Sequence, residues 1–318
     1  MKSNLLTAVL VFYTAISIGQ TKYASINGLK IAYETLGESD QQPIILINGT
    51  GACMSDWPKE FCNQLVENGY FVIRFDNRDS GLSSKFDSLG KPNWEKIMPY
   101  IGKCSGATLP YSISDMSKDV TGLMDYLKIE KAIICGISMG GAIAQIIAIN
   151  NPDYVEALIC IASTTGNPAR LPSDPKIIQA LSAPPPATDD PDSLAGHMVA
   201  IYKVLGSTDK EGVLLKKAKA RIQRCWYPEG TERQVAAITI GDYCDRRSAL
   251  SKLKVPTLVL HGGKDPLIPV EEARSLHEAI PQSKLIIVKG LGHDLSNKFI
   301  PGIFRSINTW LLSHYSSN

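Results

Sequence analysis

Apolar residues along this chain follow two rhythms, and the change from one to the other marks out its elements. Tyr23-Ala24-Ser25-Ile26 and Leu29-Lys30-Ile31-Ala32-Tyr33 alternate and flank Asn27-Gly28. Asn-Gly between alternating segments predicts a tight hairpin, because both turn residues accept positive φ. The runs that follow do not alternate: Ile44-Ile45-Leu46-Ile47, Phe71-Val72-Ile73-Arg74-Phe75, Ala132-Ile133-Ile134-Cys135, Ala157-Leu158-Ile159-Cys160-Ile161, Thr257-Leu258-Val259-Leu260 and Leu285-Ile286-Ile287-Val288. Short, continuously apolar runs predict strands buried on both faces, as in a parallel sheet covered by helices on each side. Helical spacing falls between them, over residues 61–68, 114–127, 142–150 and 270–279. Strands alternating with helices predict an α/β fold.

Residues 166–248 break this alternation. They hold Pro168, Pro172, Pro175, Pro184-Pro185-Pro186 and Pro191, then helix-like stretches near 194–205 and 212–225, and no strand pattern. We read this segment as a helical cap inserted over the sheet. Lys216, Lys217, Lys219, Arg221 and Arg224 form a basic run within it, expected to be a solvated helix face.

Hydrophobic residues make up 44% of the 318, enough for a large core. Lys plus Arg total 33 against 31 Asp plus Glu, for a net charge of +2, which provides no basic surface for nucleic acid. One cation, Lys2, precedes an apolar run over residues 5–18, and the small Ser17 and Gly19 sit before Gln20. That layout is a secretory signal peptide over residues 1–19, cleaved before Gln20. The run is shorter than the ~20 residues of a membrane span, and no other stretch is a span candidate. The chain is therefore expected to be exported, periplasmic or secreted, with an uncleaved N-terminal anchor as the alternative. Export favours disulfides. Seven Cys follow the run, an odd number, so at least one stays free. Cys135 and Cys160 lie in strand runs and are expected as buried thiols. Cys225 with Cys244, or Cys53 with Cys62, are pairings that sequence leaves open.

The strand at 132–135 runs into Gly136-Ile137-Ser138-Met139-Gly140-Gly141. Gly-x-Ser-x-Gly between a buried strand and a helix is the pattern of a nucleophile elbow, in which small neighbours allow a sharp turn to present the Ser138 hydroxyl. A serine hydroxyl needs a base. Of the five His, His293 in Gly290-Leu291-Gly292-His293-Asp294 follows the last strand run, where it can reach a site built from strand ends. His261 reads as a core or turn residue, while His197, His277 and His314 read as surface. The base in turn needs an anion to fix its tautomer, and Asp265, in Lys264-Asp265-Pro266 after the strand at 257–260, stands at the same edge. Asp294 adjoins the base in sequence and is expected to point elsewhere. For the oxyanion, the candidate donors are the amides of Met139 and, from the loop Asn48-Gly49-Thr50-Gly51, Thr50. Asp76, Arg78 and Asp79 are expected to brace their loop.

On these motifs the chain resembles an α/β-hydrolase over nearly all of residues 22–314. Asn48-Gly49-Thr50-Gly51 with Asp56-Trp57-Pro58, and Asp76-Asn77-Arg78-Asp79-Ser80-Gly81, are similar to bacterial methylesterases of the aclacinomycin methylesterase type. It departs from many relatives in having Asn48-Gly49 where they carry His-Gly, and Arg78-Asp79 where many carry Arg-Gly. The resemblance implies a mostly parallel sheet of about eight strands, a helical cap, serine carboxylesterase activity and the triad Ser138, Asp265 and His293.

The expected function is hydrolysis of a small-molecule carboxylic ester, with a methyl ester as the finer expectation, through an acyl-enzyme on Ser138. No metal or organic cofactor is implied, since no zinc-helix, phosphate-loop or dinucleotide-binding pattern occurs. Amidase, peptidase, C–C hydrolase or perhydrolase chemistry on the same triad is the alternative, and a slow-turnover ligand-binding protein is another.

Overall fold

A computed structural model describes residues 19–169, 174–242 and 244–315. The expected signal peptide lies almost wholly outside the described residues. Eight strands form one sheet: β1 (Lys22–Ile26), β2 (Leu29–Leu36), β3 (Gln42–Ile47), β4 (Tyr70–Phe75), β5 (Ala132–Ile137), β6 (Val155–Ile161), β7 (Thr257–Gly262) and β8 (Lys284–Val288). Their order is β1-β2-β4-β3-β5-β6-β7-β8. The β1–β2 hairpin closes on Asn27 and Gly28 at φ 52 and 76, as its Asn-Gly predicts, with Ile26 opposite Leu29. β1–β2 and β2–β4 are antiparallel; every other pairing is parallel.

The non-alternating runs are explained by the two layers that cover them. Ile45 and Ile47 of β3 point into one core and Ile44 and Leu46 into the other, all fully buried. Helices α1 (Lys59–Glu67), α2 (Ile113–Leu127) and α3 (Met139–Asn150) fill the crossovers. α2 and α3 cover the first face with Val120, Leu123, Ile143 and Ile147. α1 covers the second with Phe61 and Leu65, beside Ile303 and Ile307 of the C-terminal helix. α2 begins on a capping box in which Ser112 and Asp115 satisfy each other's backbone amides. The parallel pairings bring the ends of β3, β5, β7 and β8 to one edge of the sheet, where an open α/β sheet binds its ligands.

Between β6 and β7 lie α4 (Pro175–Ser182), α5 (Pro191–Val204), α6 (Glu211–Cys225) and α7 (Pro228–Asp242), with no strand among the described residues of this insertion. α5 and α6 pack through Ala195, Met198, Tyr202, Leu214 and Ala218 into a small core of their own. After β7 come α8 (Val270–Ala279) and α9 (Ile300–Tyr315). No helix among the described residues is long and apolar enough to cross a membrane.

Neither pairing left open by the sequence forms. The disulfides are Cys53–Cys225 and Cys104–Cys244, while Cys62, Cys135 and Cys160 are free and buried. Cys62 sits on the sheet side of α1, where burial pushes its thiol up to about 11, whereas Cys53 meets the end of α6. Cys244 is drawn to Cys104 across a sequence separation of 140. Nearness in sequence is a poor guide when the fold brings distant loops together.

Candidate active site

The turn from β5 into α3 is as sharp as its glycines predict. Ser138 sits at φ 55 and ψ −120, a left-handed backbone costing of order 1–3 kcal/mol for a side-chain-bearing residue. Neighbours on every side hold it there. The Ser138 amide donates to the Ile161 carbonyl at 2.9 Å, and its own carbonyl accepts from the Gly141 amide at 2.9 Å. A methyl group on Gly136 would lie 2.1 Å from the Gly140 carbonyl oxygen, and one on Gly140 would lie 2.2 Å from that of Ile47. Only glycine fits either place.

His293 follows β8 on a loop whose amide, at His293 itself, donates to the Leu205 carbonyl at 2.7 Å. Its Nε2 lies 3.1 Å from Ser138 Oγ and its Nδ1 lies 2.7 Å from Asp265 Oδ2. Asp265, its side chain fully buried after β7, accepts the Leu267 and Ile268 amides on Oδ1 at 2.9 and 2.8 Å. Burial acts to raise the Asp265 carboxyl, but the His293 imidazole beside it outweighs this, helped by the Ile268 amide, and holds the group below its ordinary range. An ionised Asp265 can only accept, so Nδ1 of His293 carries the proton and Nε2 can accept that of Ser138. The three residues named from sequence therefore form one hydrogen-bonded chain.

Of the two readings of His261, core and turn, the core one holds: it is fully buried in β7, with Nε2 2.9 Å from the Ile268 carbonyl and 3.4 Å from Asp265 Oδ2. Burial depresses its pKa despite Asp265, so it remains neutral. Asp294 accepts the Ser296 hydroxyl at 2.8 Å on each oxygen and takes no part in the chain from Asp265 to Ser138. Thr50 and Met139 are neighbours, with Thr50 Oγ1 3.6 Å from Met139 Sδ. Among the described residues neither backbone amide is engaged by another protein group. A methyl group on Gly49 would lie 3.2 Å from Ser138 Cβ, which puts the loop backbone against the elbow. Two amides beside a serine with a base in contact can carry an acyl transfer.

The bracing expected of Asp76, Arg78 and Asp79 is present, and all three are buried. Asp76 accepts the Met54 and Leu82 amides, Arg78 grips Asp119 through Nε and Nη2, and Asp79 is gripped the same way by Arg233. The basic run needs correction. Lys216 and Lys219 are solvated, but Arg221 and Arg224 are turned inward, to Asp56 and the Gly51 carbonyl and to Asp76 respectively. A signal was available: Leu214, Ala218, Arg221 and Cys225 fall at helical spacing, so Arg221 shares the stripe of three buried residues. Arg233 and Gln234, both buried on α7, were not singled out from the sequence. Cys53, Asp56 and Cys225 also lie together as potential metal donors, but their sulfurs form the disulfide and Asp56 is held by Arg221 and the Cys53 amide.

Residues 42–296 match the family model described as the alpha/beta hydrolase fold, and the chain belongs to that family. Within it, the chain is 26% identical over 286 residues to rhodomycin D methylesterase DnrP of Streptomyces peucetius, covering 82% of this chain and 88% of the relative. It is 25% identical to 3-oxoadipate enol-lactonase 2 of Acinetobacter baylyi, covering 81% and 84%. Among solved structures, a meta-cleavage product hydrolase of Pseudomonas fluorescens superposes with a TM-score of 0.72 at 20% identity, over 92% of this chain and 98% of that one.

Proposed function

We propose that this protein is a serine hydrolase that cleaves a carboxylic ester of a small molecule through an acyl-enzyme on Ser138. The observation that carries this reading is the unbroken contact from Asp265 through His293 to Ser138, at 2.7 and 3.1 Å. His293 Nε2 takes the hydroxyl proton as Ser138 Oγ bonds to the acyl carbon. The carbonyl oxygen becomes an oxyanion, held by the Thr50 and Met139 amides, each such donor being worth roughly 10²–10³ in rate. Collapse breaks the bond to the alcohol oxygen, which leaves with the proton from His293. Water, deprotonated by the same nitrogen, then attacks the acyl-enzyme and releases the acid. Asp265 stays ionised and stabilises the imidazolium at each stage.

The named relatives support an ester as substrate: one is a methylesterase and the other opens an enol-lactone, an internal ester. Methyl esters are the finer form of this proposal. Export is part of it as well, supported by the N-terminal pattern and by two disulfides, which persist in oxidising compartments. The test is turnover of a panel of methyl esters, nitrophenyl esters and aminoacyl amides, each run beside Ser138→Ala. Ester cleavage lost in the variant is the expected result; amides cleaved and esters ignored would overturn the substrate class.

A further inference from the structure

The loop carrying the Thr50 amide is gripped from the cap on both sides. The Gly51 amide donates to Gln234 Oε1 of α7 at 2.7 Å, and Gln234 Nε2 donates to the Arg78 carbonyl at 2.7 Å, so the Gln234 carboxamide is fixed at both ends. The Gly51 carbonyl accepts from the Arg221 guanidinium of α6. Arg221 is itself anchored by Asp56 at 3.3 Å, and Asp56 accepts the Cys53 amide at 2.9 Å. Gly51 stands at φ 66 and has no side chain of its own to restrict rotation. Its amide belongs to the same rigid peptide plane as the Thr50 carbonyl, so fixing that amide limits how Thr50 can turn. Gln234 is fully buried and Arg221 partly so, with 16% of its side chain exposed.

We propose that Arg221 and Gln234 are positioning residues that hold the Thr50 amide at the oxyanion. This rests on the ester-hydrolase reading, with Thr50 as an oxyanion donor. An oxyanion donor stabilises the transition state because it is already aimed and need not reorganise. Gln234 and Arg221, 183 and 170 positions from Gly51 in sequence, supply that aim, which makes the cap a working part of the site. Removing either partner lets the loop relax, and the cost falls on kcat, because the amide meets its charge in the transition state.

The test uses the full chain with Arg221→Met, Arg221→Lys and Gln234→Met, and an uncharged nitrophenyl ester. A fluorophosphonate, reacted to completion, counts intact sites. Each Met variant is expected to lose about 10–100-fold in kcat, less than the full value of a donor, with KM within about threefold and every chain still labelled. An uncharged trifluoromethyl ketone, which mimics the tetrahedral adduct, should weaken in parallel with kcat/KM. Arg221→Lys, which keeps a donor, should recover most of the loss. The proposal is overturned if kcat stays within about threefold of the starting protein in both Met variants. It is overturned equally if KM rises while kcat holds, which marks substrate contacts, or if the loss of kcat matches a loss of labelled sites, which marks a folding role. Should Arg221→Met fail to fold, Gln234→Met decides alone. Failure of the ester reading looks different: the unmodified chain would neither turn over esters nor take the label.

Discussion

Replacing Asp265 by asparagine preserves the shape of the site and changes which atoms carry protons. Oδ1 of Asp265 accepts two backbone amides, from Leu267 and Ile268, at 2.9 and 2.8 Å. An Asn side chain has one oxygen, and those two donors require it in that place, which turns the NH2 toward His293 Nδ1. Nδ1 must then accept, and the imidazole proton moves to Nε2, the atom 3.1 Å from Ser138 Oγ. A protonated Nε2 cannot take the serine proton. The known cost of such a tautomer reversal in a serine protease is ~10⁴ in kcat, or about 5.5 kcal/mol at 1.36 kcal/mol per tenfold. Stability should change by only about 1–2 kcal/mol, since both amides keep an acceptor. The assay is kcat on a nitrophenyl ester beside a urea melt of the same preparation. A loss below about tenfold in a folded variant would require a different acid behind His293.

Three further outcomes follow from the packing. Gly140→Ala would place a methyl 2.2 Å from the Ile47 carbonyl, so kcat should fall at least about tenfold and stability by about 1–3 kcal/mol, read by kinetics and thermal melts. Arg233→Met strips two hydrogen bonds from Asp79, a buried carboxylate left with the Phe86 amide, and should cost about 3–5 kcal/mol in a urea melt; a loss under 1 kcal/mol would contradict the bracing role. His261, buried and neutral with a lowered pKa, binds protons more weakly folded than unfolded, so stability should decline as pH falls below its ordinary 6.5. Urea melts from pH 7.5 to 5.5 check this, and His261→Leu, though less stable throughout, should show a flatter slope.

What the sequence displayed of this protein was whatever depends on neighbours in the chain. The elbow was legible because Gly136, Ser138 and Gly140 stand within one turn, and Asp265 and His293 because each closely follows a continuous apolar strand. The hairpin was legible because Asn27-Gly28 supplies both positive φ angles. The braces were hidden because they depend on distant partners. Cys53 and Cys225 are separated by 172 positions, and neither carries a local sign of the other. α7 escaped notice because its buried face carries Arg233 and Gln234 beside Ala236 and Ala237, so the polar residues that serve the site erase the apolar stripe that marks a helix. Arg221 and Arg224 read as solvated charges because a sequence does not show that Asp56 and Asp76 await them.

The reactivity of the Ser138 hydroxyl is measured most directly by quenching the enzyme in acid during turnover of a nitrophenyl ester and mapping the peptides by mass. Ser138 as the nucleophile requires a single acyl group there, at substoichiometric or full occupancy according to the deacylation rate, and none in His293→Ala. Turnover that proceeds with Ser138 replaced by Ala, or an acyl group found on another residue, would contradict it.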